Sequence, residues 1–106
     1  MREKSIYSVY ILGSLIGTLY VGITSNLVYR VAQHKEHTFR GFTATYEVDR
    51  LLYYETYGEV TTAIHREKQL KRWRREKKIA LITKLNPQWK DLSRDWYQKP
   101  VRTTFR

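Results

Sequence analysis

The sequence contains no cysteine. That excludes a disulfide framework, a thiolate nucleophile and a Cys-based zinc site, and it is compatible with a reducing, cytoplasmic location. Also missing is any apolar run approaching the roughly 20 residues that cross a bilayer. The start, Met1-Arg2-Glu3-Lys4-Ser5, is charged and has no apolar stretch long enough for a secretion signal. Neither a membrane span nor an export leader is therefore expected. There is no internal repeat and no low-complexity segment. Acidic residues are scarce, 10 Asp+Glu against 20 Lys+Arg.

What remains is a chain of 106 residues, 42% of them apolar. That suits one domain with one modest core. The formal net charge of +10 is the electrostatic footprint of a polyanion binder. An anionic lipid surface or an acidic protein would also be attracted, but those readings rest on charge alone.

Ile6 to Leu12 is rich in β-branched and aromatic residues and predicts a strand. Gly13 to Thr18 is turn-like, and Leu19 to Thr24 predicts a second strand that completes a hairpin. Gly22 interrupts that strand, as happens where another backbone or a ligand comes close. Thr24-Ser25-Asn26 offers capping oxygens for a helix from Leu27 to about His37. His37 to Tyr46 looks like a loop, and Arg50 to Tyr57 predicts a third strand. Thr61 or Thr62 can cap a second helix running to about Arg75. A third, from about Lys77 to Leu85, stops before Asn86-Pro87 because proline disfavours helical geometry in the residue before it. In the tail, Trp89, Trp96 and Tyr97 suggest partial docking, whereas Arg-Thr-Thr-Phe-Arg at the end is expected to fray.

The second helix carries the strongest charge. From His65 to Lys78 there are eight Lys or Arg and two acids, Glu67 and Glu76. Lys71, Arg72, Arg74 and Arg75 in this run are candidates for contact with phosphates, although a basic helix face can equally be just solvated. Glu67 is the odd residue. Helical spacing puts it on the side of Ala63 and Leu70, leaning toward the sheet, with Lys71 and Arg74 on the same side. It is either half of an i,i+4 pair with Lys71, worth about 0.2–0.5 kcal/mol, or a carboxylate ligand for Mg²⁺, an ion that keeps several waters and accepts few protein ligands. On the first helix Arg30 and His34 are one turn apart. An arginine fork suits a phosphate and a histidine can hydrogen-bond water or phosphate; a surface ion pair and a helix-dipole contact are the plainer alternatives. Tyr10 and Tyr20 fall on adjacent strands, where tyrosine is common anyway. A tyrosine hydroxyl, with an ordinary pKa near 10, needs nearby positive charge to act as a base.

Together these pieces resemble the GIY-YIG nuclease superfamily, in the form of small stand-alone bacterial members. Ser8-Val9-Tyr10 matches the first half-motif and Tyr20-Val21-Gly22 the second. Asn26 to His34 is similar to the family's arginine helix, Ala63 to Lys71 to its glutamate helix, and Asn86 to Leu92 closes the pattern. Five such pieces in order, from Tyr7 to about Leu92, are a specific signal. The resemblance implies an α+β fold, sandwich-like, with a three-stranded, mostly antiparallel sheet flanked by helices. It implies a nuclease domain over residues 1–92 and a basic aromatic tail over 93–106. It also implies one-metal hydrolysis of DNA with Mg²⁺ or Mn²⁺. Glu67 would hold the cation, Arg30 would stabilise the pentavalent phosphate, and Tyr10 and Tyr20 would position or deprotonate the water. Gly22 would allow close approach, His34 would share the work at the water, and Asn86 would support the site. Ser8 stands where the family has glycine, which alters local geometry but removes no catalytic group. With no second DNA-binding domain, specificity would be low or would come from a protein partner, and repair, recombination and mobile-element defence all fit. The competing reading is a nucleic-acid-binding module that keeps the fold without catalysis.

Overall fold

The computed structural model describes residues 5–36 and 47–97. Three strands, β1 (Tyr7–Gly13), β2 (Leu19–Thr24) and β3 (Arg50–Tyr57), alternate with three helices, α1 (Leu27–Lys35), α2 (Val60–Arg72) and α3 (Arg75–Leu85), in the order β1-β2-α1-β3-α2-α3. The sheet is antiparallel throughout with β1 in the centre, order β2-β1-β3. This is the expected α+β class.

Side chains alternate across a strand, so the central strand feeds two apolar clusters. Val9 and Ile11 join Val21, Leu52, Tyr53, Ala63, Leu70 and Ile82 beneath α2 and α3. Tyr10 and Leu12 join Val31, Val48 and Leu51 on the side of α1. The β1–β3 register shifts between Ile11 and Leu12, where Leu12 pairs with Leu51 and Ile11 with Tyr53. This bulge puts two consecutive residues, Leu52 and Tyr53, into one cluster.

The hairpin turn is closed by Ser14, whose hydroxyl and carbonyl accept from Thr18 and Gly17 backbone N–H groups at 3.0 and 3.2 Å. Gly17 takes a φ of +97° there, which only glycine adopts at little cost.

Several boundaries differ from the sequence expectation, and α1 ends at Lys35 rather than near His37. β1 runs one residue later at each end. α2 ends at Arg72 rather than Arg75, and α3 starts at Arg75 rather than Lys77, because Trp73 and Arg74 adopt extended backbone with ψ of 145° and 157°. Trp73 packs against the first cluster, and a continuous helix would turn Arg74 onto the Glu67 side instead. The cap of α2 is Glu59, not a threonine; no side chain caps it, and the Thr62 hydroxyl donates back to the Glu59 carboxylate at 3.3 Å. The expected loop over His37 to Tyr46 lies outside the described residues.

The segment after α3 is tied down by two polar side chains. Asn86 is buried; its amide donates to the carbonyls of Leu52 (3.0 Å) and Lys90 (2.9 Å), and its oxygen accepts from the Lys90 N–H at 3.1 Å. This holds a turn in which Trp89 takes a left-handed φ of 54°. Asp91 accepts from Lys35 Nζ at 2.5 Å, the Leu51 N–H at 3.1 Å, and the N–H and hydroxyl of Ser93 at 3.0 and 2.7 Å. One carboxylate thus joins α1, β3 and the tail. Beyond it Trp96 and Tyr97 pack on the second cluster, and the Tyr97 hydroxyl donates to the Val28 carbonyl at 2.7 Å. The expected docking of the aromatics is realised to Tyr97; the final Arg-Thr-Thr-Phe-Arg lies outside the described residues.

Burial pushes the Asp91 carboxyl up, but the bonds from Lys35, Ser93 and Leu51 outweigh it and hold it below the ordinary range. Its stabilising effect is therefore complete above the unfolded-state value of about 3.9 and is lost as pH falls through the lower folded-state value. Asp91→Ala should destabilise the fold by about 2–3 kcal/mol, the scale of charge-assisted bonds lost from a partly buried carboxylate. Urea unfolding at neutral pH measures this, and the gap between wild type and variant should shrink as pH falls below 4.

Candidate active site

Tyr10 lies on the central strand opposite Gly22, and Tyr20 lies opposite Leu12, so the two tyrosines are diagonal neighbours on one face. Their ring centroids are 6.4 Å apart. Gly22 has a specific reason to lack a side chain: a Cβ there would overlap the ring and hydroxyl of Tyr10. The close approach expected at this glycine is thus made by a tyrosine of its own sheet. Gly22→Ala should push the Tyr10 hydroxyl out of place with little change in charge. An NMR comparison of the His34 ring signals, which report the Tyr10 hydroxyl 3.3 Å from Nε2, beside a thermal melt would separate this displacement from unfolding.

The first helix starts as its sequence suggests. The Asn26 side chain accepts from the Tyr29 N–H at 3.1 Å, and the Thr24 hydroxyl accepts from the Asn26 N–H at 3.0 Å. This fixes the helix phase, and with it Arg30 and His34 one turn apart. His34 is 4% exposed, with its ring 6.0 Å from Tyr10 and 5.5 Å from Tyr20. The Tyr10 hydroxyl lies 3.3 Å from His34 Nε2. Burial, followed by the Arg30 charge, lowers the His34 pKa to about 4, so the imidazole is neutral at pH 7 and can accept a hydrogen bond.

Tyr10 behaves in the opposite way to a ready base. Burial and the neighbouring Tyr20 push its hydroxyl above the ordinary tyrosine value, and Glu67 adds to this. Arg30 pulls it down through a hydrogen bond and its charge but does not prevail. The positive charge that a tyrosine base needs is present, yet desolvation outweighs it, and Tyr10 holds its proton at neutral pH.

Glu67 comes from α2, on the inward side with Ala63 and Leu70, as its helical spacing predicts. It is 8% exposed. Lys71 Nζ sits 2.5 Å from Oε2, an i,i+4 pair. The rotation of α2 is set by a cluster that sequence reasoning missed. Glu55 of β3 accepts from Arg66 Nε at 2.9 and 3.1 Å and from Nη2 at 2.8 Å, and also from the hydroxyls of Tyr53 and Tyr57. Arg66 directly precedes Glu67, so this fork locks the helix beside the carboxylate. The available signal was one acid between two tyrosines at alternating positions of β3; nothing local names its partner eleven residues on.

A metal fits here only in one form. Among the described residues no group of three His, Cys, Asp or Glu could hold an ion, which is unlike a structural zinc site. A single, nearly buried carboxylate suits Mg²⁺, which takes one or two carboxylates and keeps its waters.

Tyr10, Tyr20, Arg30, His34 and Glu67 therefore converge from four elements, with Gly22 beneath Tyr10 and Lys71 on Glu67. The remaining candidates lie elsewhere. Arg72 borders a cleft on the outer side of α2, Arg74 lies at the α2–α3 junction beside Trp73, and Arg75 reaches the hairpin turn, where its guanidinium would lie 2.9 Å from a Cβ at Gly17. Asn86 is engaged by backbone groups of Leu52 and Lys90.

Comparison with known proteins bears on the family and the fold. The profile of the GIY-YIG catalytic domain matches residues 6–80. A UPF0213 protein of Staphylococcus haemolyticus is 31% identical over 74 residues, 70% of this chain and 90% of that one. A UPF0213 protein of Staphylococcus aureus is 32% identical over the same shares. In three dimensions the chain is similar to the solution NMR structure of a UPF0213 protein from Bacillus halodurans, with a TM-score of 0.55 and 22% identity over 88% of this chain and 99% of that one. No helix among the described residues is long and apolar enough to cross a membrane.

Proposed function

The chain belongs to the GIY-YIG family of nucleases, and on that premise we propose that it is a divalent-metal-dependent endonuclease that hydrolyses DNA phosphodiester bonds with low sequence specificity of its own. The observation that carries this is the convergence of a neutral histidine, a guanidinium, two tyrosines and one carboxylate around the Tyr10 hydroxyl.

Each group has a role its environment supports. Glu67 would hold Mg²⁺ or Mn²⁺, which when bound polarises the phosphate and neutralises the leaving oxygen. Arg30 meets the charge that grows on the phosphorus oxygens during attack. Tyr10 keeps its proton and, with Tyr20, orients the attacking water; His34 accepts from Tyr10 and steadies the hydroxyl. The basic residues of α2 and α3 attract the polyanion without reading its bases, which accounts for low specificity. A protein partner would then supply target choice.

One observation favours the binding-only alternative: Lys71 already sits on Glu67, as it would in a plain helix-surface pair. Incubating supercoiled plasmid with the protein in Mg²⁺, in Mn²⁺ and in EDTA decides between them. Metal-dependent nicking is expected. Retarded but intact DNA in every condition would leave only the binding module.

A further inference from the structure

The turn between β1 and β2 carries the two most exposed large apolar side chains among the described residues. Leu15 and Ile16 are 85% and 84% exposed. They are adjacent, the turn that presents them is closed by Ser14 and Gly17, and neither belongs to an apolar cluster of the fold. Beside this turn lies a cavity of about 170 Å³, lined by Ser14, Leu15, Arg50, Leu52 and Trp89. It is smaller than the roughly 300–1,000 Å³ that encloses a drug-sized ligand, and it suits a single flat ring system. Arg50 gives one N–H, from Nη2, to the Trp89 carbonyl at 3.0 Å, and a guanidinium has five. Among the described residues Arg50 has no carboxylate partner, and no acidic side chain lines the cavity. Arg75 brings a second positive charge to the same turn, at Gly17. Trp89 is half-buried and is held at a φ of 54° by the hydrogen bonds around Asn86, a conformation that a bulky residue rarely adopts.

An indole wall, a guanidinium and two leucines suit a flat heteroaromatic ring, and the unpaired arginine charge suits an anion attached to it. A nucleotide joins the two. We propose that the β1–β2 turn and the cavity beside it form a receptor for one unpaired nucleotide of a DNA duplex. The base enters the cavity against Trp89, Arg50 and Arg75 hold the phosphates on either side of it, and Leu15 and Ile16 fill the gap left in the stack. Leucine and isoleucine act as such wedges where proteins open a base step. Taking a base out of the stack costs least where it has no partner, so the site selects a bulged duplex over a fully paired one. This gives the proposed nuclease a preferred substrate class. It rests on the nucleic-acid part of that reading and not on cleavage.

The test is equilibrium binding in EDTA, which permits binding without cleavage, to two short duplexes of one sequence. One is fully paired and the other has a single bulged adenine. Wild type should bind the bulged duplex about tenfold more tightly. In a Leu15→Ser/Ile16→Ser double variant this preference should vanish, while affinity for the paired duplex is kept; both residues are exposed, so the fold is not at risk. The Trp89 indole N–H, which donates to the Thr83 hydroxyl at 2.9 Å, gives a second readout. Its NMR signal should shift with the bulged duplex and stay in place with the paired one. Equal affinity of wild type for the two duplexes would overturn the proposal, as would a bulge preference that survives in the double variant or a Trp89 signal that the bulged duplex leaves unmoved. A Trp89 shift as large with deoxyadenosine monophosphate, at equal concentration, would make this a site for free nucleotides and overturn the duplex. Phosphatidylserine vesicles that bind wild type but not the double variant, with no bulge preference, would assign the turn to a lipid surface instead. A protein that prefers the bulge but leaves all DNA uncut in Mg²⁺ refutes the nuclease reading alone. One that cuts DNA while binding both duplexes alike refutes the receptor alone.

Discussion

Glu67→Gln is expected to reduce metal-dependent cleavage by about 10³-fold or more, while DNA binding stays within a few-fold of wild type. The side chains are nearly isosteric, and the inward position with Ala63 and Leu70 is kept. What disappears is the negative charge that would hold the cation, and with it the polarisation of the phosphate. A loss of about 4 kcal/mol of transition-state stabilisation corresponds to that factor. Binding should hold or tighten, because Lys71, released from its 2.5 Å pair, adds a cation to an already basic surface. The pair itself is worth only a few tenths of a kcal/mol, so the melting temperature should barely move. Single-turnover cleavage in saturating Mg²⁺, beside filter binding in EDTA, measures both quantities. Cleavage at the wild-type rate would remove Glu67 from the site and, with it, the one-metal reading.

How far the site could be read from the sequence depended on the range of the interactions. β2 and β3 match their expected limits because branched and aromatic residues, bounded by turns, carry that signal locally. The start of α1 was visible in the same way, in an asparagine that caps it. The break between α2 and α3 was not. Lys-Arg-Trp-Arg-Arg-Glu contains neither glycine nor proline, and every residue in it tolerates a helix. The chain bends because Trp73 is held against the core, a tertiary demand that overrides propensity. The same holds for Glu55 with Arg66 and for Asp91 with Lys35: each acid is visible, but its partner is chosen by the packing of separate elements. The site itself occupied an intermediate position. Each of its residues had an ordinary explanation alone, and only their order, shared with a family, pointed to one place. That order could not foretell that desolvation prevails over Arg30 at Tyr10, since burial of a side chain depends on all the elements around it.

That balance makes Arg30 the second sensitive position, and one with two separate readouts. Arg30→Ala should lower the cleavage rate by about 10²–10³-fold, the cost of removing one positioned donor from developing oxyanion charge. Arg30→Lys should recover only part of it, because an ammonium lacks the planar fork. The second readout is the protonation of His34. Burial is the larger cause of its low value of about 4, and the Arg30 charge is the other. Removing that charge makes the imidazolium less unfavourable, so the His34 pKa should rise in Arg30→Ala toward its ordinary value near 6.5 without reaching it, since burial persists. In Arg30→Lys a positive charge persists, and the shift should be small. An NMR titration of the His34 ring follows this independently of turnover. If Arg30 only attracted DNA from a distance, both substitutions would weaken binding and leave the histidine where it is. A histidine that moves in Arg30→Ala and stays in Arg30→Lys, while both variants lose rate, places the guanidinium inside the group that surrounds the reacting phosphate.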